Sequence, residues 1–350
     1  MKRMDRRDFL VTTGALGALA SATTRADGKI RTGILGTQHG HFRGKLEAMQ
    51  KSPDYEVAAV CEPDPAALAK MKQDSRYAGL PWVSEKELLG DPAIQLVVVE
   101  CKFWEAIPWG RKVIDANKHL HLEKPPGSAI EPFQQLVNDA KEKKLLLQMG
   151  YVWRFHDGLN AAFDAARKGW LGDVYLLRAT IDKDLQVERR KNWGRSKGGT
   201  FFELASHLVD LVVMFWGKPT GVKSWMRNDT LQDGLADNTL AVFEYPQGLA
   251  IITSAATMAG SAPHRSFEVI GTDGSFVIRP LEPGDKMQVV MRDLKGPYRA
   301  GWQDVELPKH VRYVEDFEEL ARALKSNQPL KYSYDHELLV QETLIRACEG

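Results

Sequence analysis

Apolar and polar positions alternate in blocks from Ile30 onward. Ile30 to Leu35 is a short apolar run ending at Gly36, and Phe42 to Gln50 is helix-like. Tyr55 to Cys61 is a second strand, with Glu56-Val57-Ala58-Ala59-Val60 at its heart, and Pro65 to Gln73 reads as a helix opened by proline. Ile94 to Val99 is almost wholly apolar, as a strand covered on both faces must be. Trp109 to Ala116 reads as a helix and His119-Leu120-His121-Leu122 as an extended segment, its histidines taken as strand-edge residues rather than ligands. Strand and helix in turn predict a doubly wound parallel sheet.

The pattern changes after Gly150. Leu159 to Lys168 is an amphipathic helix closed by Gly169, and Val174 to Ile181 is a strand. Asp182 to Gly199 is polar and reads as one long loop, which in a compact domain points to function. Two hairpins follow, around Tyr245-Pro246-Gln247-Gly248 and Gly271-Thr272-Asp273-Gly274, and Met287 to Met291 adds a strand. Consecutive hairpins predict a mostly antiparallel sheet. Tyr313 to Leu324 and His336 to Ala347 close the chain as helices.

Length and composition narrow the classes. At 350 residues the chain is too long for one ordinary core, so two or more domains are expected. A formal net charge of +1 argues against a strongly basic nucleic-acid binder. The one short basic run, Arg189-Arg190-Lys191, does not change that. No apolar stretch approaches the ~18 residues of a membrane span. Cys61, Cys101 and Cys348 are far apart, which excludes a disulfide scaffold or a cysteine-based zinc site and makes buried thiols the simplest reading.

The first 26 residues read as an address. Lys2, Arg3, Arg6 and Arg7 precede an apolar run from Phe9 to Ala22, followed by the small-residue cleavage sites Ala20-Ser21-Ala22 and Thr24-Arg25-Ala26. Arg6-Arg7 ahead of Phe9-Leu10 resembles a twin-arginine export signal. A periplasmic protein, carried by the twin-arginine translocase, is therefore expected. The organisation is then a leader over 1–26, a nucleotide-binding domain over 27–149, a substrate domain over 150–312, and returning helices over 313–350.

Two regions can carry nucleotide chemistry. Gly36-Thr37-Gln38-His39-Gly40-His41 follows a strand and precedes a helix, the context that a phosphate-binding turn needs. Gly36 supplies the turn and Gly40 the close backbone approach, whereas Gln38 departs from glycine at the second position of the motif. Glu62 closes the next strand, 26 residues after Gly36. A carboxylate there can bind the ribose diol and repel a 2′-phosphate, which favours NAD over NADP. His39 and His41 lack a third ligand in sequence, so no metal is expected.

Two further constellations can act on a substrate. Glu123-Lys124-Pro125-Pro126 ends a strand at the carboxyl edge of the sheet, where such sheets bind ligands. Glu203, His207 and Asp210 share one face if their segment is helical. The alternative is a capping box, Thr200 with Glu203, and a core histidine.

Together, Gly36 and Gly40, Glu62, Glu123-Lys124-Pro125, Tyr151-Val152-Trp153-Arg154, Gly198-Gly199, Glu203, His207, Asp210 and the Gly271–Gly274 turn resemble the Gfo/Idh/MocA family over nearly all of residues 29–345. The resemblance implies an α/β fold: an N-terminal Rossmann dinucleotide-binding domain, then an α+β domain with a large, mostly antiparallel open sheet that makes homo-oligomers. It implies oxidation or reduction of a carbohydrate, sugar derivative or cyclitol with NAD. Lys124 matches the catalytic lysine and His207 the catalytic histidine, while Glu203 stands where the family usually has Asp. Gly36, Thr37, Gln38, His39, Gly40, His41, Glu62, Glu123 and Lys124 are the expected cofactor contacts, and Tyr151, Arg154, Trp193, Arg195 and Asp210 the expected substrate contacts. Export further implies a cofactor held through the catalytic cycle. A glycoside hydrolase working by transient oxidation, with Tyr151 or His207 as its base, and a non-catalytic nucleotide-dependent sensor remain open on the same residues.

Overall fold

The computed structural model describes residues 28–350; the export leader expected over 1–26 lies outside the described residues. The first domain alternates strand and helix. Its elements are β1 (Ile30–Leu35), α1 (Phe42–Lys51), β2 (Tyr55–Cys61), α2 (Pro65–Gln73), α3 (Glu85–Gly90), β3 (Leu96–Val99), α4 (Phe103–Asp115), β4 (His119–Leu122), α5 (Ile130–Glu142) and β5 (Leu147–Met149). The strands form one parallel sheet in the order β2-β1-β3-β4-β5. All four positions of β3 are buried, as its unbroken apolar run requires of a strand covered on both faces. The order reverses between β1 and β3, and ligands bind beyond the carboxyl ends of strands at such a point. Gly36, Glu62, Glu100, Glu123 and Gly150 are the residues that follow the five strands there.

Local signals set the helix starts. Asp64 caps α2 by accepting from the amides of Ala66 and Ala67, with Pro65 in the first turn. Ser84 and Glu87 form a full capping box on α3.

The second domain comprises α6 (Asp157–Arg167), β6 (Val174–Thr180), α7 (Val187–Trp193), a π-helical turn (Phe201–Ala205), α8 (Ser206–Trp216), β7 (Gly221–Arg227), β8 (Asn238–Tyr245), β9 (Gly248–Ala255), β10 (Ser266–Gly271), β11 (Gly274–Ile278), β12 (Lys286–Met291) and β13 (Gly301–Glu306). These strands form an eight-stranded sheet, β13-β12-β11-β10-β6-β9-β8-β7, antiparallel except where β6 meets β9. Ser206 through Val213 of α8 are all buried, so this helix is a core element, its polar Ser206, His207 and Asp210 buried along with its apolar residues. Gly198 and Gly199 precede the π-helical turn. A side chain on Gly198 would run into Cys348, and Gly199, at φ +49°, lies against Ala236. Gly198 therefore lets this segment lie flush with the last helix, and Gly199 with the strand connection at Ala236. All three cysteines are free and buried.

Two terminal helices join the domains. In α9 (Val314–Ser326), the Phe317 carbonyl accepts from Tyr55 Oη of β2 and Glu319 accepts from Gln148 of β5. In α10 (Tyr334–Glu349), Gln341 donates to the Gly127 carbonyl and the Ala347 carbonyl accepts from Ser224 of β7. Among the described residues no helix is long and apolar enough to cross a membrane.

Several local expectations are corrected. α4 begins at Phe103 and carries Pro108 within it; buried Phe103, Ala106, Gly110, Val113 and Ile114 hold it together across the missing amide. The expected loop over 182–199 contains α7, a polar helix pinned by buried Arg190 to Asp233 at 2.6 Å and Asp237 at 2.8 Å rather than by an apolar stripe. β4 is interior, not an edge, and buried His121 hydrogen-bonds Gln148 of β5 at 2.8 Å.

Candidate active site

The β1–α1 loop is fastened to the end of β2. Gly36 has φ +92°, and a side chain there would strike the Glu100 carbonyl and the Trp109 ring. Thr37 donates to Glu62 Oε2 through its amide at 2.8 Å and its hydroxyl at 2.6 Å. Gln38 Nε2 and the Asp64 amide reach Glu62 Oε1 at 3.2 and 2.9 Å. Glu62 thus spends four acceptor positions on its own backbone and loop. Gln38, at the second glycine position of the motif, ties its side chain to Glu62 instead. His41 occupies the third glycine position of the motif. It opens α1, whose first turn carries no acidic residue and no side-chain cap.

A buried charge cluster lies behind this loop. Lys45 Nζ of α1 is 2.5 Å from both Glu100 Oε1 and Glu123 Oε2. His41 Nδ1 is 3.1 Å from Glu123, and the Lys124 amide donates to Glu123 at 3.1 Å. His39 Nδ1 lies 3.6 Å from Glu123 and 3.7 Å from Glu100. Burial drives His41 well below the usual imidazole range despite the Glu123 charge. Burial opposes the charge of Glu123 too, but His39, Lys45 and His41 together hold it well below the carboxylate range. His39, His41 and Glu123 bring their ligand atoms within 4.8 Å of one another, a spacing open to a metal ion. Lys45 already supplies the cation on the Glu123 oxygen nearest both rings, which accounts for the trio as a hydrogen-bonded cluster.

Lys124 and His207 meet in a cavity of about 380 Å³ between the domains. Lys124 Nζ donates to the Glu203 carbonyl at 2.7 Å, and burial lowers its pKa. His207 is buried with Nδ1 unpartnered, its ring 5.4 Å from that of Trp153. Burial, then the Lys124 charge, push His207 well below the usual imidazole range. Glu203 lines the same cavity, and burial raises its carboxyl pKa. The capping box does not form: Thr200 Oγ1 is buried without a partner.

Residues 30–151 match the family model described as "Oxidoreductase family, NAD-binding Rossmann fold", and residues 160–277 match the "GFO/IDH/MocA C-terminal domain". The chain belongs to the Gfo/Idh/MocA family of oxidoreductases. It is 24% identical to the uncharacterized oxidoreductase YdgJ of Escherichia coli, covering 73% of each chain. It is also 24% identical to scyllo-inositol 2-dehydrogenase (NADP(+)) IolW of Bacillus subtilis, covering 71% of this chain and 68% of that one. Its fold matches levoglucosan dehydrogenase in complex with NADH and levoglucosan, at a TM-score of 0.79 and 17% identity, over 92% of this chain and 97% of that one. GenD2 from gentamicin A biosynthesis, in complex with NAD, matches at a TM-score of 0.76 and 21% identity over 97% of each chain.

The loop fits the dinucleotide that a Gfo/Idh/MocA Rossmann domain binds. Gly36 makes the turn, open space lies over Gly40, and the uncapped start of α1 can receive phosphate. Gln38, His39, Gly40 and His41 line the cavity, whereas Thr37 and Glu62 form the clasp beneath it. The expected substrate residues divide. Trp193 is on the cavity wall. Arg195 lies outside it, its guanidinium 4.0 Å from the ring of Trp104, which lines it. Tyr151 is buried edge-on to His207 and does not line the cavity, which weakens its case as a glycosidase base. Arg154 and Asp210 are corrections: each is buried and committed to the other at 2.7 Å, with Glu337 on Arg154 at 2.6 Å and His336 on Asp210 at 3.1 Å. Sequence reasoning missed Lys45 and Glu100, although Glu100 ends β3 at the same sheet edge as Glu123. It also missed the cavity cations Lys102, Lys183, Arg265 and Arg312.

Two outcomes test this geometry. Lys45→Met leaves two buried carboxylates without their cation and is expected to cost about 3–5 kcal/mol in urea denaturation. A loss below about 1 kcal/mol, the scale of an exposed pair, would remove the cluster from its structural role. Nitrogen-15 spectra should show the His207 ring neutral at about pH 6, below the ordinary imidazole midpoint; a midpoint at or above that value contradicts the burial argument.

Proposed function

We propose that this protein oxidises or reduces a secondary alcohol of a sugar or cyclitol with NAD, and that Lys124 and His207 manage the hydroxyl proton. The observation that carries this reading is two buried bases, both pushed toward their neutral forms, in one cavity beside the nucleotide loop. When bound, NAD supplies the hydride acceptor or donor. The Glu203 carbonyl fixes Lys124 Nζ in place, and the neutral amine can take a proton from a hydroxyl within about 2.6–3.2 Å. His207 lines the same cavity, and its ring can accept or return the same proton. Trp153 and Trp193 line the cavity and give it aromatic surface suited to the apolar side of a sugar. The similarity to scyllo-inositol 2-dehydrogenase IolW and to levoglucosan dehydrogenase supports a polyol or sugar substrate.

The reading extends to the whole protein. The basic, apolar and small-residue order of residues 1–26 supports periplasmic export through the twin-arginine route. A protein outside the cytoplasm has no dependable nicotinamide pool, so the cofactor stays bound through the cycle. A second copy covers the open sheet. Trp302, Val290, Ser275, Ile270, Leu176 and Leu249 are successive cross-strand neighbours on the outward face, five of the six apolar. Trp302 and, on β7, Trp225 are more than half exposed, at 57% and 53%. Such a face marks an association surface.

Lys124→Ala should keep the fold and the dinucleotide released on denaturation, identified by mass spectrometry, while hydride transfer falls by about 10²–10⁴-fold. Full activity in that variant removes the assignment. Trp225→Glu combined with Trp302→Glu should turn the oligomer into a monomer by light scattering. A wild type that is already monomeric, or an unchanged mass in the variant, counts against the sheet interface.

A further inference from the structure

The cavity wall is far more cationic than a neutral sugar requires. Lys102, Lys124, Lys183, Arg189, Arg265 and Arg312 line it, and Glu203 is the one carboxylate among its lining residues. Arg312 grips Glu282 with two nitrogens, and Arg265 is 3.6 Å from that same carboxylate, with the charge of Asp182 acting on Arg265 as well. Lys102 is 3.9 Å from Glu105. Lys183 and Arg189 pair with no carboxylate within 4.0 Å among the described residues. Lys183, half-buried after β6, has its pKa lowered first by burial and then by Arg265, Arg189, Arg312 and Lys124.

Like charges gathered at a partly desolvated wall raise the free energy of the empty site, and an anion arriving there relieves it. The dinucleotide phosphates do not account for this group. Their place is the β1–α1 loop and the start of α1, on the first domain. Lys183, Arg189 and Arg265 belong to the second domain and line the same cavity as Lys124 and His207. A molecule whose hydroxyl meets Lys124 and His207 would carry its charge toward them.

We propose that the substrate is an anionic sugar, bearing a carboxylate or a phosphate that Lys183, Arg265 and Arg189 receive. The proposal rests on the oxidoreductase reading of the same cavity and adds the charge of the substrate. Arg265 can bind either group through paired N–H donors, while Lys183 acts as a point charge.

The test is calorimetric titration of the NAD-loaded protein with D-glucuronate, D-gluconate, D-glucose 6-phosphate, D-glucose and myo-inositol. At least one anionic sugar should bind about tenfold or more tightly than the neutral ones. The tighter of the carboxylate and phosphate probes identifies the group. Lys183→Gln, its fold confirmed by circular dichroism, should remove most of that preference, and added salt should weaken it in the wild type. Equal or tighter binding of the neutral sugars, no binding of any probe, or a preference unchanged in Lys183→Gln would overturn the proposal. Reduced-nicotinamide absorbance separates the two readings. Turnover of neutral sugars alone sinks the anion while sparing the oxidoreductase. Lys183-dependent binding of an anion without hydride transfer to or from any probe does the reverse.

Discussion

The site depends on one buried ammonium group. Lys45 is 1% exposed and bridges Glu100 and Glu123, the residues that end β3 and β4. Two carboxylates at that depth need a cation between them. Lys45 provides it, and His41 and the Lys124 amide add hydrogen bonds to Glu123, while Glu100 Oε2 is left without a hydrogen-bond partner. The contact fixes α1 against the sheet edge, and with it the loop from Gly36 to His41. It also sets the path of the chain through Glu123, which directs the next residue, Lys124, into the cavity. Gly150, at the end of β5, completes the enclosure: a side chain there would come within 2.9 Å of Lys45 Nζ.

The π-helical turn from Phe201 to Ala205 solves a second geometric problem. A regular helix commits its carbonyls to amides four residues on, whereas a widened turn can release one. Here the Glu203 carbonyl accepts from Lys124 Nζ and, at 3.3 Å, from the Ser206 hydroxyl. Glu203 thus serves through its backbone as well as its side chain. The sequence offered Glu203 only through its side chain, on one helix face with His207 and Asp210 or as half of a capping box. The carboxyl is left facing the cavity without a hydrogen-bond partner to fix its charge.

What could be read from the sequence follows a physical division. The parallel sheet was legible because burial on both faces forces apolar runs such as Leu96–Val99, and the hairpins because a two-residue turn has its own chemistry. Lys124 was legible because its place beside Pro125 at a strand end has a meaning before any partner is known. Arg154 and Asp210 were misread because their charge suggested a ligand, while the partner that completes them, Glu337, lies 183 residues away from Arg154. Lys45 was invisible for the converse reason: a lysine within an amphipathic helix reads as solvated, and only the packing of α1 on the sheet buries it. The run Arg189-Arg190-Lys191 shows how little spacing fixes. Arg190 turns inward to Asp233 and Asp237, while Arg189 reaches the cavity.

The cavity joins two electrostatic regimes. On the first domain, Lys45 bridges Glu100 and Glu123 in a buried cluster; at Lys124 the charge of Glu203, then that of Glu123, favours the proton, and Lys45 opposes it. On the second, Lys183, Arg265 and Arg312 crowd one another and disfavour the proton on their neighbour. Lys124 stands where the two meet, with burial as the largest influence on it. Its state therefore responds to what fills the cavity. A bulky ligand that expels water deepens the burial of Lys124 and favours the free amine, whereas negative charge placed close to Nζ favours its proton. A substrate whose charge is taken up by Lys183 and Arg265 satisfies the crowded cations there. The closer that charge stays to those groups, the less it returns the proton to Lys124, by the same balance of burial and like-charge repulsion that acts on both sides of the cavity.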